Sequence, residues 1–503
     1  MSIYEIFKSK ALKLGSKKAL VINAENFSYE ALLKEVDRVA SLFAEIGLKQ
    51  DDKLLIMLKN SKEFVTTLLA ASKIGLTLVP LNSSLSIKDV RKAIDVSDAK
   101  HLLTTANNIK KLSKLKNLNF ICTNKELENS YFFYKTVTKQ NINEDVDIDK
   151  SYILTMTSGS TGDPKPIIFS QKTKIDRAFL SAKEIYDLNE DDVIIASTPI
   201  YHSLAQRQVL LPLMIGATSV VLENFTPKKW LEYVEKEKVT FSMITSSQVV
   251  QILNELKQKN HDIKSLKTIV SSSALLRDDI KNEAIKYFDA DFHEIYGASE
   301  VGTVTNLYPK DSDKLKSVGK ALHYVDIKIV DEDGKSLKSG EIGEIVCKTK
   351  TAFLGYFNQE EKTKESFLGE YFKTGDLGYL DEDRYLYYAG RKKEMINVMG
   401  INVYPKDIEE VILSCSGVKE CAVIGVEDEY LGEAILAVIS GDSVDEKEIK
   451  LRCLEELADF QQPHGFVFLD ELPKNAMGKI VKKELNILYK DYKINRIFKN
   501  IRR

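Results

Sequence analysis

Short apolar runs alternate with helix-patterned segments through the first half of the chain. "KLLIML" (53–58) predicts a buried strand. "SKEFVTTLLAASKIG" (61–75) predicts a helix that stops at Gly75, and "LTLVPL" (76–81) predicts the next strand. The rhythm returns with strands expected at 191–198, 217–223, 240–245 and 267–272 and a helix at 227–239. Strand–helix alternation favours a layered α/β architecture. From about residue 320 the texture changes. Residues 325–349 predict a β-hairpin with Asp333-Gly334 as its turn. Beyond 390 a compact α+β pattern begins, with a helix expected at 406–415 and strands at 418–428 and 433–440. The expected division is a large α/β domain over 1–389 and a small α+β domain over 390–503. No internal repeat and no low-complexity linker interrupts it.

Length changes this picture little, since 503 residues already require more than one core. The chain is 44% hydrophobic and 29% charged, ordinary for a soluble globular protein. A net charge of -2 gives no reason to expect nucleic-acid or membrane partners. The five cysteines, at 122, 347, 415, 421 and 453, include no C-x-x-C pair. A zinc site and a disulfide framework are therefore not expected, and a reducing compartment is. The six histidines are scattered without metal-ligand spacing. No signal-peptide core opens the chain, and no apolar run approaches the ~18 residues of a membrane span. The expectation is a cytoplasmic protein without a transmembrane segment.

The chemistry concentrates first in "TSGSTGDPK" (157–165), a loop between two predicted strands that form a hairpin. The common nucleotide loop instead runs from a strand into a helix, and its GxxxxGK[ST] pattern is absent here. Gly159 and Gly162 let backbone N–H groups approach anionic oxygens. Thr157, Ser158, Ser160 and Thr161 add hydroxyl donors, and Lys165 adds a positive charge. A solvated turn of small polar residues has the same composition, so the loop alone leaves both readings open.

Five further stretches, in order, remove that ambiguity: "PIYHSLAQR" (199–207), "EIYGASEVG" (294–302), "FKTGDLG" (372–378), "GRKKEMINVMGINVYPKDIEE" (390–410) and "LPKNAMGKIVKKEL" (472–485). With the loop, they resemble the acyl-pocket, Tyr-Gly-x-Thr-Glu, Thr-Gly-Asp, hinge and terminal-lysine motifs of the adenylate-forming superfamily. That superfamily holds acyl- and aryl-CoA synthetases, luciferases and peptide-synthetase adenylation domains. The resemblance spans nearly the whole chain. It implies a large N-terminal domain of packed α/β subdomains and a small mobile C-terminal domain. It also implies a two-step reaction using ATP, Mg²⁺ and CoA. A carboxylic acid takes AMP from ATP with release of pyrophosphate, and the acyl group then passes to a thiol. The acceptor is CoA or, alternatively, the phosphopantetheine of a carrier protein.

The same resemblance assigns roles. Thr157 to Gly162 and Lys165 would grip the triphosphate. Glu300 would hold Mg²⁺, a hard cation that takes few protein carboxylates. Tyr296 would face the adenine, with Gly297, Ser273 and Ala274 lining the same site. Ser299 stands where relatives carry Thr and keeps the hydroxyl for a phosphate contact. Asp376 would accept from both ribose hydroxyls, and Arg391 would reach the ribose from the hinge. Lys479 would bridge the carboxylate and the α-phosphate. Lys393 sits at the pivot, Asn397 where several relatives carry Lys, and Gly400 where pantetheine must pass the backbone. His202 would gate the acyl group or the thiol.

Departures from the family pattern bear on the substrate. Ser272, Ser273 and Leu275 replace Gly, Gly and Pro, which narrows the expected pocket and makes it more polar. Pro166 replaces a common Gly, and Ser246 and Ser247 replace a Pro-bearing segment. No acid follows His202 before Glu223, so nothing near the pocket motif would pair an amino-acid ammonium. The expectation is a small-to-medium or polar acyl or aryl acid. Arg207 either pairs a second carboxylate or is a structural arginine of the following helix. The tail 487–503 carries six Lys/Arg, and Ile494, Ile497, Phe498 and Ile501 fall at helical spacing. Either it docks an acidic carrier or anionic membrane, or it folds back on its own domain. Rival classes are a phosphohydrolase releasing ADP and phosphate, and a non-catalytic nucleotide binder.

Overall fold

In the computed structural model the described residues are all except 116, 139, 141, 143, 144, 159–163, 309, 310, 476, 477 and 495–503. Among them the strands form four sheets of nine, eight, five and five strands. The helix predicted at 61–75 forms as Lys62–Ile74. Ser61 Oγ caps it by accepting from Phe64 N at 3.3 Å, and Gly75 ends it with φ +81°. Every residue from Phe64 to Ile74 is buried, so this helix lies inside the protein. The strands on either side, Lys53–Met57 and Thr77–Pro80, pair in parallel within the eight-stranded sheet. The crossover helix accounts for the parallel pairing.

The nine-stranded sheet takes its centre from Val193–Ala196, Phe241–Thr245 and Thr268–Ser272, which run parallel, and from Thr218–Val221 beside them. Their β-branched and aromatic side chains are almost all buried, as two covered faces require. One hydrophobic core joins the two large sheets: Leu54, Leu78 and Ile153 of one belong to the same cluster as Leu20, Ile194 and Phe241 of the other. Strands Val325–Val330 and Gly343–Thr349 pair antiparallel as predicted, joined by the longer connection 331–342 in which Gly334 has φ +80°.

The C-terminal part has its own five-stranded sheet with a core on each face. Along Val418–Asp428, Cys421 and Val423 face one core while Ala422, Ile424 and Val426 face the other, the two-residue alternation of a strand covered on both sides. The expected division after residue 389 falls inside the strand Leu386–Arg391, which pairs with Tyr371–Leu380 through Asp376 opposite Arg391. The chain leaves that sheet only at a 3₁₀ turn, Lys392–Glu394.

The described part of the tail folds back on its own domain. The last helix, Lys482–Leu488, ends before the periodic positions begin. Tyr489, Tyr492 and Ile494 pack instead against the small domain's second core. Ile497, Phe498 and Ile501 lie outside the described residues.

Candidate active site

The loop that opened the question joins Ser151–Ser158 to Pro164–Ser170, an antiparallel hairpin with Thr157 opposite Lys165. Gly159, Ser160, Thr161 and Gly162 lie outside the described residues. Thr157 and Ser158 close the first strand. Lys165 opens onto the site, its ammonium 5.4 Å from the Tyr356 ring centroid. Tyr356 Oη donates to Glu300 Oε1 at 2.9 Å. Burial, and then the Glu300 charge, push the Tyr356 phenol well above its ordinary pKa, so it stays protonated and donating. Tyr356 thus brings the loop lysine and Glu300 to one place. It arrives through the short strand Gly355–Tyr356, which pairs with the strand of Lys165.

Glu300 sits in the turn between Asp291–Ala298 and Gly302–Leu307. Its carbonyl accepts from Arg177 Nη2 at 2.8 Å and from Phe353 N at 2.7 Å, which fixes the turn while leaving the carboxylate for Tyr356. A Cβ built on Gly297 would lie 1.9 Å from the Gly302 carbonyl oxygen, so only glycine fits there. Ser299, in the same turn, is exposed.

Tyr296 Oη donates to Asp376 Oδ2 at 2.8 Å. Asp376 Oδ1 lies 2.9 Å from Arg391 Nε yet is buried and receives no hydrogen bond. A buried carboxylate with one unsatisfied oxygen is an acceptor awaiting a donor. Burial raises the Asp376 pKa, while Arg391, Tyr296 and Lys479 act against that rise. Ser273 and Ala274 follow the strand Thr268–Ser272 and are exposed at its end. Ser246 Oγ donates to the Ala274 carbonyl, and Ser273 holds φ +82°, the left-handed region that the family's glycine adopts without strain.

Lys479 reaches this group from the small domain. Its loop is a tight hairpin: Asn475 N donates to Lys479 O at 2.9 Å, Lys479 N donates to Asn475 Oδ1 at 3.1 Å, and Lys474 bridges Ile480. Beside it, Gly478 abuts the large domain, where a Cβ would meet Ser247 Oγ at 2.5 Å. Arg277 Nη1 donates to the Leu413 carbonyl at 2.7 Å and gives a second contact between the domains. Lys479 is exposed but projects into the crowded space between them. Desolvation and the Arg391 charge lower its pKa, and Glu394 and Asp376 pull the other way. Behind it, Lys482 pairs with Glu409 at 2.6 Å and Glu394 at 3.2 Å, which ties the lysine loop to the hinge turn.

His202 stands at the N-cap of Ser203–Ile215 against the ring of Tyr201, with centroids 4.4 Å apart. Its Nε2 is buried without a partner, and burial pushes its pKa down to about 4, so the ring is neutral near pH 7. The residues expected on the CoA side gather elsewhere. Lys393 is exposed in the hinge turn. Asn397 and Gly400 belong to a hairpin of the small domain, Ile396–Val398 with Ile401–Val403. Asn397 Oδ1 accepts from Gly400 N at 2.9 Å, and Met399 and Gly400 both have positive φ, +52° and +87°. That is the two-residue turn whose hand matches strand twist. A Cβ on Gly400 would meet nothing within 4 Å.

Sequence reasoning missed Tyr356, Lys174 and Arg177. Their neighbours come from distant segments: Tyr356 is 56 positions from Glu300 and Arg177 is 123. The one available signal is that both Lys174 and Arg177 sit in a helix following the loop, Gln171–Ala178, at positions that are buried.

Comparison with known proteins agrees with this geometry. Residues 7–357 match the AMP-binding enzyme family, and residues 407–479 match the AMP-binding enzyme C-terminal domain. The chain is 28% identical to 4-coumarate:CoA ligase 1 of Petunia hybrida, over 94% of this chain and 91% of that protein. It is 29% identical to 2-succinylbenzoate–CoA ligase of Bacillus licheniformis, over 95% and 98%. Among solved structures it resembles o-succinylbenzoate CoA synthetase of Bacillus subtilis bound to its acyl-adenylate, with TM-score 0.87, 27% identity, and coverage of 95% and 97%. The same enzyme has been seen with ATP and a magnesium ion. With Asp376 inside the strand Tyr371–Leu380, Glu300 in the turn after Asp291–Ala298, and the family match covering most of its length, the chain belongs to the AMP-binding enzyme family.

Proposed function

We propose that this protein joins a carboxylic acid to CoA at the expense of ATP. In the first step a carboxylate oxygen attacks the α-phosphorus, the bond to the β-phosphate oxygen breaks, and pyrophosphate leaves. In the second the CoA thiolate attacks the acyl carbonyl, the bond to the phosphate oxygen breaks, and AMP leaves. The observation that carries this reading is the convergence of Asp376, Arg391 and Lys479, drawn from two domains, beside a buried carboxylate oxygen without a donor.

Asp376 Oδ1 accepts from the ribose, and Tyr296, anchored by its bond to Asp376 Oδ2, presents its ring to the adenine. Gly297, Ser273 and Ala274 leave backbone space for the base, and Ser299 donates to a phosphate. Thr157 through Gly162 and Lys165 hold the β- and γ-phosphates. Glu300 is the protein carboxylate offered to Mg²⁺, and among the described residues no cluster of three or more His, Cys, Asp or Glu forms a metal site. That donor set suits an ion that keeps water and phosphate ligands, and when bound it offsets phosphate charge. Lys479 bridges the attacking carboxylate and the α-phosphate, where its charge acts most strongly on the transition state. His202, neutral at working pH, orders the acyl or thiol path without adding charge.

For the second step the small domain turns about Lys393. Lys479 leaves, and the Asn397–Gly400 hairpin, at whose tip Gly400 carries no side chain and faces open space, borders the pantetheine. The acceptor is CoA, the thiol named in the relatives above. The acid is small to medium, polar or aromatic.

Pyrophosphate release is to be measured across a carboxylic-acid panel with ATP and Mg²⁺, with CoA or a phosphopantetheinylated carrier as acceptor. Pyrophosphate and AMP, with acyl-CoA detected by mass, are expected. ADP and phosphate would overturn the reading, and transfer only to the carrier would replace the acceptor.

A further inference from the structure

Three cations meet behind Glu300. Lys174 and Arg177 come from the helix Gln171–Ala178, and Arg207 comes from Ser203–Ile215. Among the described residues no carboxylate pairs with any of the three. Lys174 Nζ donates to Gln206 Oε1 at 2.7 Å and Ser203 Oγ at 3.2 Å. Arg177 donates to the carbonyls of Thr351, at 2.9 Å, and Glu300. Both stack on the Phe169 ring, at 4.1 and 4.5 Å. These two cations are therefore occupied by neutral acceptors and a ring face.

Arg207 differs. Its Nη1 donates to Thr303 Oγ1 at 3.1 Å, but its Nε is buried with no partner. A guanidinium carries five N–H donors and cannot shed its charge at working pH, so an orphaned donor beside two other cations is costly. The residue nevertheless keeps some solvent contact. The surroundings are built for polarity. The Tyr186 and Tyr324 hydroxyls are within electrostatic range of Arg207. Tyr324 Oη shares a 2.6 Å hydrogen bond with Ser181 Oγ, on a π-helical segment, Phe179–Lys183. Such segments occur often at functional sites. His202 Nε2, a second orphaned buried nitrogen, lies at the start of the same helix as Arg207. Burial lowers the pKa of all three, and charge repulsion adds to this at Lys174, from Arg177 and Arg207, and at Arg177, from Arg207. An anion entering here would relieve that repulsion.

We propose that Arg207 determines specificity by receiving a second carboxylate, at the end of the acid remote from the group that is adenylated. The proposal rests on the ligase reading and narrows its substrate class to dicarboxylic acids. Arg is suited to the task because its fork matches a carboxylate with two parallel hydrogen bonds.

The test compares diacids of increasing length and an aromatic diacid with the corresponding monoacids, by kcat/KM for pyrophosphate release. The parent protein is expected to prefer a diacid. In Arg207→Leu the diacid-to-monoacid ratio of kcat/KM should fall about a hundredfold, chiefly through KM, and Arg207→Lys should recover part of it. A parent preference for monoacids, or an equal loss for all acids in Arg207→Leu, would overturn the proposal. A parallel arm measures the rise in Tm that each diacid produces with the parent and with Arg207→Lys. If no acid releases pyrophosphate, the ligase reading fails. The thermal arm still decides Arg207: a diacid-specific rise in the parent that shrinks in the variant supports the assignment, and no rise with any diacid overturns it.

Discussion

In the proposed mechanism Lys479 acts from a loop of the small domain, and its contribution there belongs to the adenylation step alone. Lys479→Ala is expected to slow acyl-adenylate formation by about a hundredfold or more, since it removes a charge positioned for the transition state. Thioester formation from supplied acyl-adenylate should persist, and the urea midpoint should barely move, because the side chain is exposed. Single-turnover assays of each half-reaction check this. Other residues act on stability through protonation. His293 is buried between the Tyr186 and Tyr308 rings, and its Nδ1 faces Asn306 Nδ2 at 3.1 Å. Tyr186 Oη donates to Asn306 Oδ1, so the amide nitrogen points at the histidine and the ring must be neutral there. Burial lowers its pKa to about 4, and Asp291 and Asp311 oppose this only in part. A histidine with a depressed folded pKa contributes stability that is present above the unfolded value and lost as pH falls. The window is therefore from about 6.5 down to about 4. Across it His293 should cost the parent about 3 kcal/mol, and His293→Gln should flatten the fall in urea midpoint over the same pH range. Neither Asn306 nor the two rings is adjacent to His293 in sequence, so this pair was not legible there. Lys479 was, because a motif of fixed order carries it.

Elements came through the sequence where local rules suffice. The strand at 53–57, the helix from Lys62 to Ile74 with its Ser61 and Gly75 caps, and the strand at 77–80 follow from apolar runs and cap residues. The hairpin that carries the 157–165 loop was equally readable, because its two strands are adjacent in sequence. What failed to show were elements that matter through distant pairing. Gly355–Tyr356 is a two-residue strand, too short for any periodicity, yet it carries the phenol that holds Glu300. Of the tail, the described part lays Tyr489, Tyr492 and Ile494 on the small sheet, the fold-back alternative, while the helical spacing at Ile497, Phe498 and Ile501 lies outside the described residues. The turn after Thr268–Ser272 combines both lessons. Its sequence departure, Ser273 for glycine, was visible, but the consequence is conformational: φ +82° strains any residue with a Cβ. Ser273→Gly should relieve about 1–2 kcal/mol of left-handed strain while adding unfolded-state entropy. The net expected gain is about 0.5–1 kcal/mol, read as an upward shift of the urea midpoint with unchanged slope.

At the scale of the molecule, the two half-reactions ask opposite things of the small domain, and the structure holds it in one arrangement. Lys479 faces Asp376 and Arg391, Gly478 abuts Ser247, and Arg277 bonds the Leu413 carbonyl, while the Asn397–Gly400 hairpin stands apart on the small domain's surface. This is the arrangement that the proposed adenylation step requires. A covalent lock at Gly478 and Ser247 therefore separates the steps. A Cβ built on Gly478 lies 3.1 Å from Ser247 Cβ, a few tenths of an ångström short of the usual span of about 3.5–4.5 Å across a disulfide. The lysine hairpin must open by that small amount. A cysteine in place of Gly478 would also retain that residue's φ of +75°, at a cost of about 1–2 kcal/mol. All five native cysteines are buried, so a mild oxidant should find the introduced pair first. In the Ser247→Cys, Gly478→Cys protein, oxidation is expected to leave a first burst of acyl-adenylate and pyrophosphate. Acyl-CoA formation should drop about tenfold or more, and a reductant should restore it, because transfer needs the small domain to rotate. Acyl-CoA made at equal rates by the oxidised and reduced forms would mean that one arrangement serves both steps. The hairpin at Gly400 would then have no part in the thiol's path.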